Sequence, residues 1–198
     1  MGAELGQCSA GSAACRLNWS EAFLRQARSD LCVYRLLQER GSDKCHSIHY
    51  LQMSGEKLAK SETDEAKRNM QPGLTHYGLS KWLRALSVSN ADSRTLGYKS
   101  RIDYRSAHAS LLASAAAIEQ LAPKIANDRS KGLGSFMHWN GVGVNAEYPW
   151  GRVGDPPIAP TDYAFGEPEL DDLRLLRLAM LIDARIAQKL DSLRVLPS

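Results

Sequence analysis

No stretch of this chain approaches the roughly eighteen consecutive apolar residues that a membrane-spanning helix needs, so a membrane partner is not expected. The opening residues, MGAELGQCSAGSAACRL, have neither a basic start nor a hydrophobic run and do not form a secretory signal. Gly6 stands where a myristoylation motif wants Ser or Thr. Residues 1–17 are therefore expected to be a flexible leader, and the protein to be cytoplasmic. Charge of one sign is also scarce: the formal net charge is only +3, which permits contact with nucleic acid without arguing for it. Cysteine is limited to Cys8, Cys15, Cys32 and Cys45, none of which makes the close pair of a structural zinc site. In a reducing compartment these are free thiols. Cys45, His46 and His49 cluster locally, with Cys45 and His49 one helical turn apart, but no third or fourth ligand to join that pair is evident, and the group reads as a helix start.

Several chemistries lack their motifs. There is no GxxxxGK[ST] phosphate loop, no HExxH zinc motif and no GxSxG nucleophile elbow. The paired Glu-x-x-His motifs of di-iron bundles are missing, and Gly132-Leu133-Gly134 lacks the rest of a dinucleotide fingerprint. No cofactor and no metal are expected.

What the chain does have is enough length, 198 residues, for one full hydrophobic core, with an ordinary 43% hydrophobic and 24% charged content. Apolar residues at three- and four-residue steps predict helices. The first runs from Asn18 to Glu39, with Asn18 and Glu21 as a capping box, Trp19, Phe23, Ala27, Leu31 and Tyr34 on its inner face, and Gly41 as its stop. The second, Asp43 to Ser61, carries Ile48, Leu51, Gly55, Leu58 and Ala59. A glycine on that face costs about 1 kcal/mol of helix propensity and predicts close approach by another helix. A third, Thr75 to Ser89, turns Leu79, Trp82, Leu83 and Leu86 inward. A fourth, Ser100 to Ala122, has the stripe Tyr104, His108, Leu111, Ala115, Ile118 and Ala122 before Pro123 ends it. The last runs from Glu167 to Leu193, with Leu173, Leu176, Met180, Ala187 and Leu190 as its buried stripe.

Residues 127–167 break the pattern. Seven glycines and four prolines, with Phe136, Trp139, Tyr148, Trp150, Tyr163 and Phe165 among them, exclude a regular helix. So many aromatics predict an ordered excursion that packs back onto the bundle, with VGVNAEY as a short strand or hairpin arm. The expected fold is all-α: an up-and-down bundle of four to five helices, one domain over 18–198, with an irregular insertion before the last helix.

The side chains left for chemistry are His49, His76, His108 and His138, with Arg94, Arg101 and Arg105 near one of them. Arg101 and His108 are seven residues apart and share one face of the fourth helix, with Arg105 three residues before His108. Arg supplies a fixed fork for a phosphate and His titrates near neutrality, so the group can bind a phosphate and move a proton. The same spacing also suits a half-buried His at a helix contact with solvated arginines. Trp139, Tyr148 and Trp150 are candidate binding aromatics.

The segment His49–Lys60, HYLQMSGEKLAK, resembles the second helix of HEPN domains: Glu56, Lys57 and Lys60 match its charged ending, and Gly55 takes the small-residue place. The order of helices from Asn18 to Leu193 is also similar to that bundle, apart from 127–167. Many HEPN proteins are dimeric, metal-independent endoribonucleases whose signature is Arg, four to six residues, then His. The resemblance implies that His108 activates a ribose 2′-hydroxyl while Arg101 steadies the scissile phosphate, with Arg105 in support, leaving a cyclic phosphate. This chain departs from the family in having Ile102, where a polar residue usually follows the Arg. Other family members lack the pair and act as binding or assembly modules. Three readings follow: a HEPN-like module binding protein or RNA, a HEPN-like ribonuclease of a bacterial defence or toxin–antitoxin type, each of these two possible as a homodimer, and a helical bundle that holds a small ligand under its insertion.

Overall fold

Asn18 starts the first helix as expected: its Oδ1 accepts the Glu21 amide at 2.8 Å and satisfies one of the orphan donors of the first turn. The second half of the capping box is not made, because the Glu21 carboxylate turns forward to Arg25 at 2.6 Å. In the computed structural model this helix, α1, spans Trp19–Glu39. Gly41 ends it at φ 62°, with Ser42 N–H bonded to the Leu37 carbonyl and Gly41 N–H to that of Gln38. That left-handed closure is the one glycine is suited to make. The structure describes residues 18–63, 78–86, 101–121, 125–126, 138–139, 146 and 159–194. Among them the further helices are α2 (Lys44–Ser61), α3 (Leu79–Ala85), α4 (Arg101–Gln120) and α5 (Asp172–Arg194). The fold is an all-α bundle.

The short turn at Gly41 makes α1 and α2 an antiparallel hairpin. Ser54 Oγ donates to the Ala27 carbonyl at 2.8 Å, and Ser20 Oγ to that of Ser61 at 2.7 Å. Between them Lys57 lies 3.2 Å from the buried Asp30 carboxylate, whose other oxygen accepts from Gln26. α2 is the central helix, and its predicted stripe of Ile48, Leu51, Gly55, Leu58 and Ala59 is wholly buried. Gly55 faces Leu79 of α3, where a Cβ would lie 2.5 Å from a Leu79 methyl. The close approach anticipated from that glycine is therefore met by α3.

α3 has no side-chain cap of its own at Gly78. The buried carboxylate of Glu119, from α4, supplies one: it accepts the Ser80 amide at 3.0 Å and the Ser80 hydroxyl. The α5 helix runs in the same sense as α2. Lys44 and Asp172 pair at the starting ends (3.1 Å), and Glu62 just past the end of α2 meets Arg185 and Lys189 further along α5.

Three details of the core differ from the sequence expectation. On α1 the buried face is Leu24, Ala27, Asp30, Leu31 and Tyr34, whereas Trp19 is exposed and stacks beside Phe23 at the rim. The last helix begins later than expected, because Pro168–Leu170 is a separate 3-10 turn and Asp171 Oδ1 then caps the amides of Leu173 and Arg174. Of the stripe expected to be buried on α5 only Leu190 packs against the core: Leu173, Leu176, Met180 and Ala187 are exposed, and the core is built from Leu175, Leu178, Ala179, Leu181, Ile182 and Ile186. Both faces of α5 are apolar, and only the second turns inward.

The insertion does pack back where it is described. Phe165 is completely buried, edge-on to Tyr163 at 4.9 Å, and holds a left-handed backbone (φ 44°). Such a conformation costs a bulky residue on the order of 1–3 kcal/mol, which burial of its ring offsets. Ile125–Ala126 and His138–Trp139 form a two-residue antiparallel ladder. The segment VGVNAEY lies outside the described residues except for Ala146, whose amide donates to the Leu121 carbonyl.

Candidate functional site

His108 sits on the α4 face turned toward α3, half-buried, with Nε2 2.8 Å from the Leu83 carbonyl. A carbonyl only accepts, so Nε2 carries the proton in that contact. The contact ties α4 to the last turn of α3 and brings two exposed arginines to its neighbourhood. Arg105 is one turn earlier on α4, and Arg84 follows Leu83 on α3. Lys81, also exposed, lies one turn before Arg84 on α3. Arg105, Arg84 and Lys81 are thus exposed basic residues close in sequence to the two ends of this contact. Arg101 opens α4 at the same end, and its side chain lies outside the described part of the structure. Ile102, beside it, is among the most exposed large apolar residues.

Arg84 is a member of this group that sequence spacing does not reveal, because it joins through a carbonyl 25 residues from His108. Of the candidate binding aromatics, Trp139 pairs through its backbone with Ile125, and Tyr148 and Trp150 lie outside the described residues. Cys45 is buried, which pushes its thiol pKa up and leaves it unreactive, while Cys32 is exposed on α1. Among the described residues no three His, Cys, Asp or Glu side chains gather as metal ligands, and no helix is long and apolar enough to cross a membrane.

A second feature lies on the outer face of α5. Leu173 (54% exposed), Leu176 (50%) and Met180 (60%) form one line along the helix, continued by Ala187. Leu173, Met180 and Ala187 are seven residues apart, as are Leu176, Asp183 and Leu190, which is the a/d spacing of a helix-pairing seam. At its first layers the seam is bordered by one charge of each sign. Asp172 borders it on one side, 76% exposed despite its pairing with Lys44, and the exposed Arg177 borders it on the other. Asp183 is held by Arg35 of α1 at 2.8 Å.

Beneath these surfaces α2 carries an unusual load of buried polar groups: Ser47, Gln52, Ser54, Glu56 and Ser61. Ser54, Ser61 and Glu56 have partners, Glu56 with Lys60 at 2.5 Å. Both polar atoms of the Gln52 amide, and Ser47 Oγ, are buried without a hydrogen-bond partner among the described residues.

The chain matches no family model, no curated protein and no solved structure.

Proposed function

We propose that this protein is a binding or assembly module that docks another polypeptide through the outer face of α5. The observation that carries this reading is the line of Leu173, Leu176 and Met180, each at least half exposed, on a helix whose opposite face already fills the core. Single exposed leucines are ordinary on protein surfaces. Three in register, spaced for helix pairing and rimmed by charge, form the kind of surface that a partner covers. The resemblance of His49–Lys60 to the second helix of HEPN domains is compatible with this role, since that family includes assembly modules.

The test is a photo-crosslinking amino acid placed at Leu176, with Arg28 on the exposed side of α1 as the control site. The module reading expects polypeptide adducts from position 176 and few from position 28. Equal or absent crosslinking at both sites in a folded protein contradicts it.

A second reading rests on His108 with Arg84 and Arg105 beside it, a basic group suited to an RNA backbone and, by the HEPN resemblance, to metal-independent cleavage. In that reaction the imidazole nitrogen not bound to Leu83 would take the 2′-hydroxyl proton, and arginine would hold the phosphate. RNA cleavage in EDTA that is lost in Arg105→Ala would favour it.

A further inference from the structure

Resting on that docking surface, we propose that its occupant is a second copy of this chain, seated α5 against α5 with the two helices parallel and the two-fold axis running along them. The seam itself permits self-association: Leu173, Met180 and Ala187 occupy the a positions and Leu176 the first d position, so each of these layers can meet its own copy.

The flanking charges choose the direction. Asp172 lies on one side of the seam and Arg177, five residues later, on the other. When two identical helices pair in parallel about a lengthwise two-fold, the left flank of each meets the right flank of its partner. Asp172 then faces the second copy's Arg177, and Arg177 its Asp172. In the antiparallel arrangement flanks of the same kind meet, so Asp172 does not reach the second copy's Arg177 and neither pair forms. The two opposite-charge pairs favour the first arrangement, and the second gains neither.

Asp183 falls at a d position, where a bare carboxylate would repel its symmetry mate. Here it is neutralised by Arg35, so the seam is closed by its apolar layers from Leu173 to Met180 and carries an ion-paired layer beyond them. A pairing of about two heptads is short. The complex is therefore concentration-dependent, an exchanging dimer rather than an obligate one.

Charge reversal at Asp172 and Arg177 separates self-pairing from the docking of another polypeptide on which it rests. Sedimentation equilibrium is run on the full chain and on Asp172→Arg and Arg177→Asp, with circular dichroism confirming that each is folded. The wild type is expected to move from monomer to dimer as concentration rises. Each single variant, which sets like charges opposite each other, is expected to weaken the dimer at least tenfold. An equimolar mixture of the two variants restores both pairs and is expected to dimerise as wild type does. A wild type that stays monomeric overturns the inference while leaving α5 open to a different polypeptide, which the crosslink at Leu176 detects independently. A dimer that survives in both single variants, or that the mixture fails to restore, overturns the proposed parallel pairing.

Discussion

The carboxylate of Glu62 is held by Nε and Nη2 of Arg185 at 2.8 and 3.0 Å, a forked pair between residues 123 apart in sequence. Glu62 sits just beyond the C-terminal end of α2, where the helix dipole disfavours an anion. Burial also raises its pKa. The Arg185 fork, with Lys189 and a Trp82 hydrogen bond, outweighs both and leaves the pKa below its ordinary value of 4.5.

That shift fixes a direction in pH. A carboxyl whose folded pKa lies below its unfolded one stabilises the fold fully above the unfolded value and loses that contribution as pH falls through the folded value. Stability measured by urea denaturation should thus fall below about pH 4.5. Arg185→Leu should remove much of that slope and cost about 1.5–3 kcal/mol at neutral pH. An unchanged acid limb in the variant would show that Glu62 is not one of the groups responsible.

Gly55→Ala is expected to destabilise although alanine favours a helix by about 1 kcal/mol. The added methyl would meet Leu79 at 2.5 Å, with two more of its atoms near 3.1 and 3.2 Å. Leu79 is buried and has little room to withdraw. Overpacking of this kind costs roughly 1–3 kcal/mol. A double-mutant cycle with Leu79→Ala should return strong coupling. Additive effects would mean that α3 does not press on Gly55.

His108 has a structural duty that variants can separate from any chemical one. His108→Ala should cost about 1 kcal/mol by leaving the Leu83 carbonyl without that donor. His108→Gln places an amide N–H at comparable reach and should recover much of the loss. Glutamine does not titrate near neutrality, so cleavage of RNA, if His108 carries it, stays absent in both variants. Cleavage that persists in His108→Gln would remove the imidazole from the reaction.

The α2 stripe was legible because its apolar residues occupy one face, and Gly55 marked a contact that no larger residue would allow. α5 was not legible in the same way. Leu173, Leu176 and Met180 match a helical period as well as Leu175, Leu178 and Ile182 do, and only the packed bundle decides which line turns inward. Trp19 and Leu24 posed a smaller version of that ambiguity on α1, where burial went to Leu24. At the candidate site, the neighbourhood of Arg105 and His108 follows from spacing on one helix. Arg84 does not, since its place depends on how α3 packs against α4, and Glu119 capping α3 from another helix likewise has no local signal.

The central claim is that the outer line of α5 serves a partner and not the core. Its most direct test is Leu176→Glu/Met180→Glu, followed by thermal unfolding and sedimentation equilibrium on the same samples. The account predicts unfolding within about 0.5 kcal/mol per substitution of wild type, as for surface positions, together with loss of self-association. A large loss of stability in the dilute monomer, or a wild-type dimer that the double variant leaves intact, would contradict it.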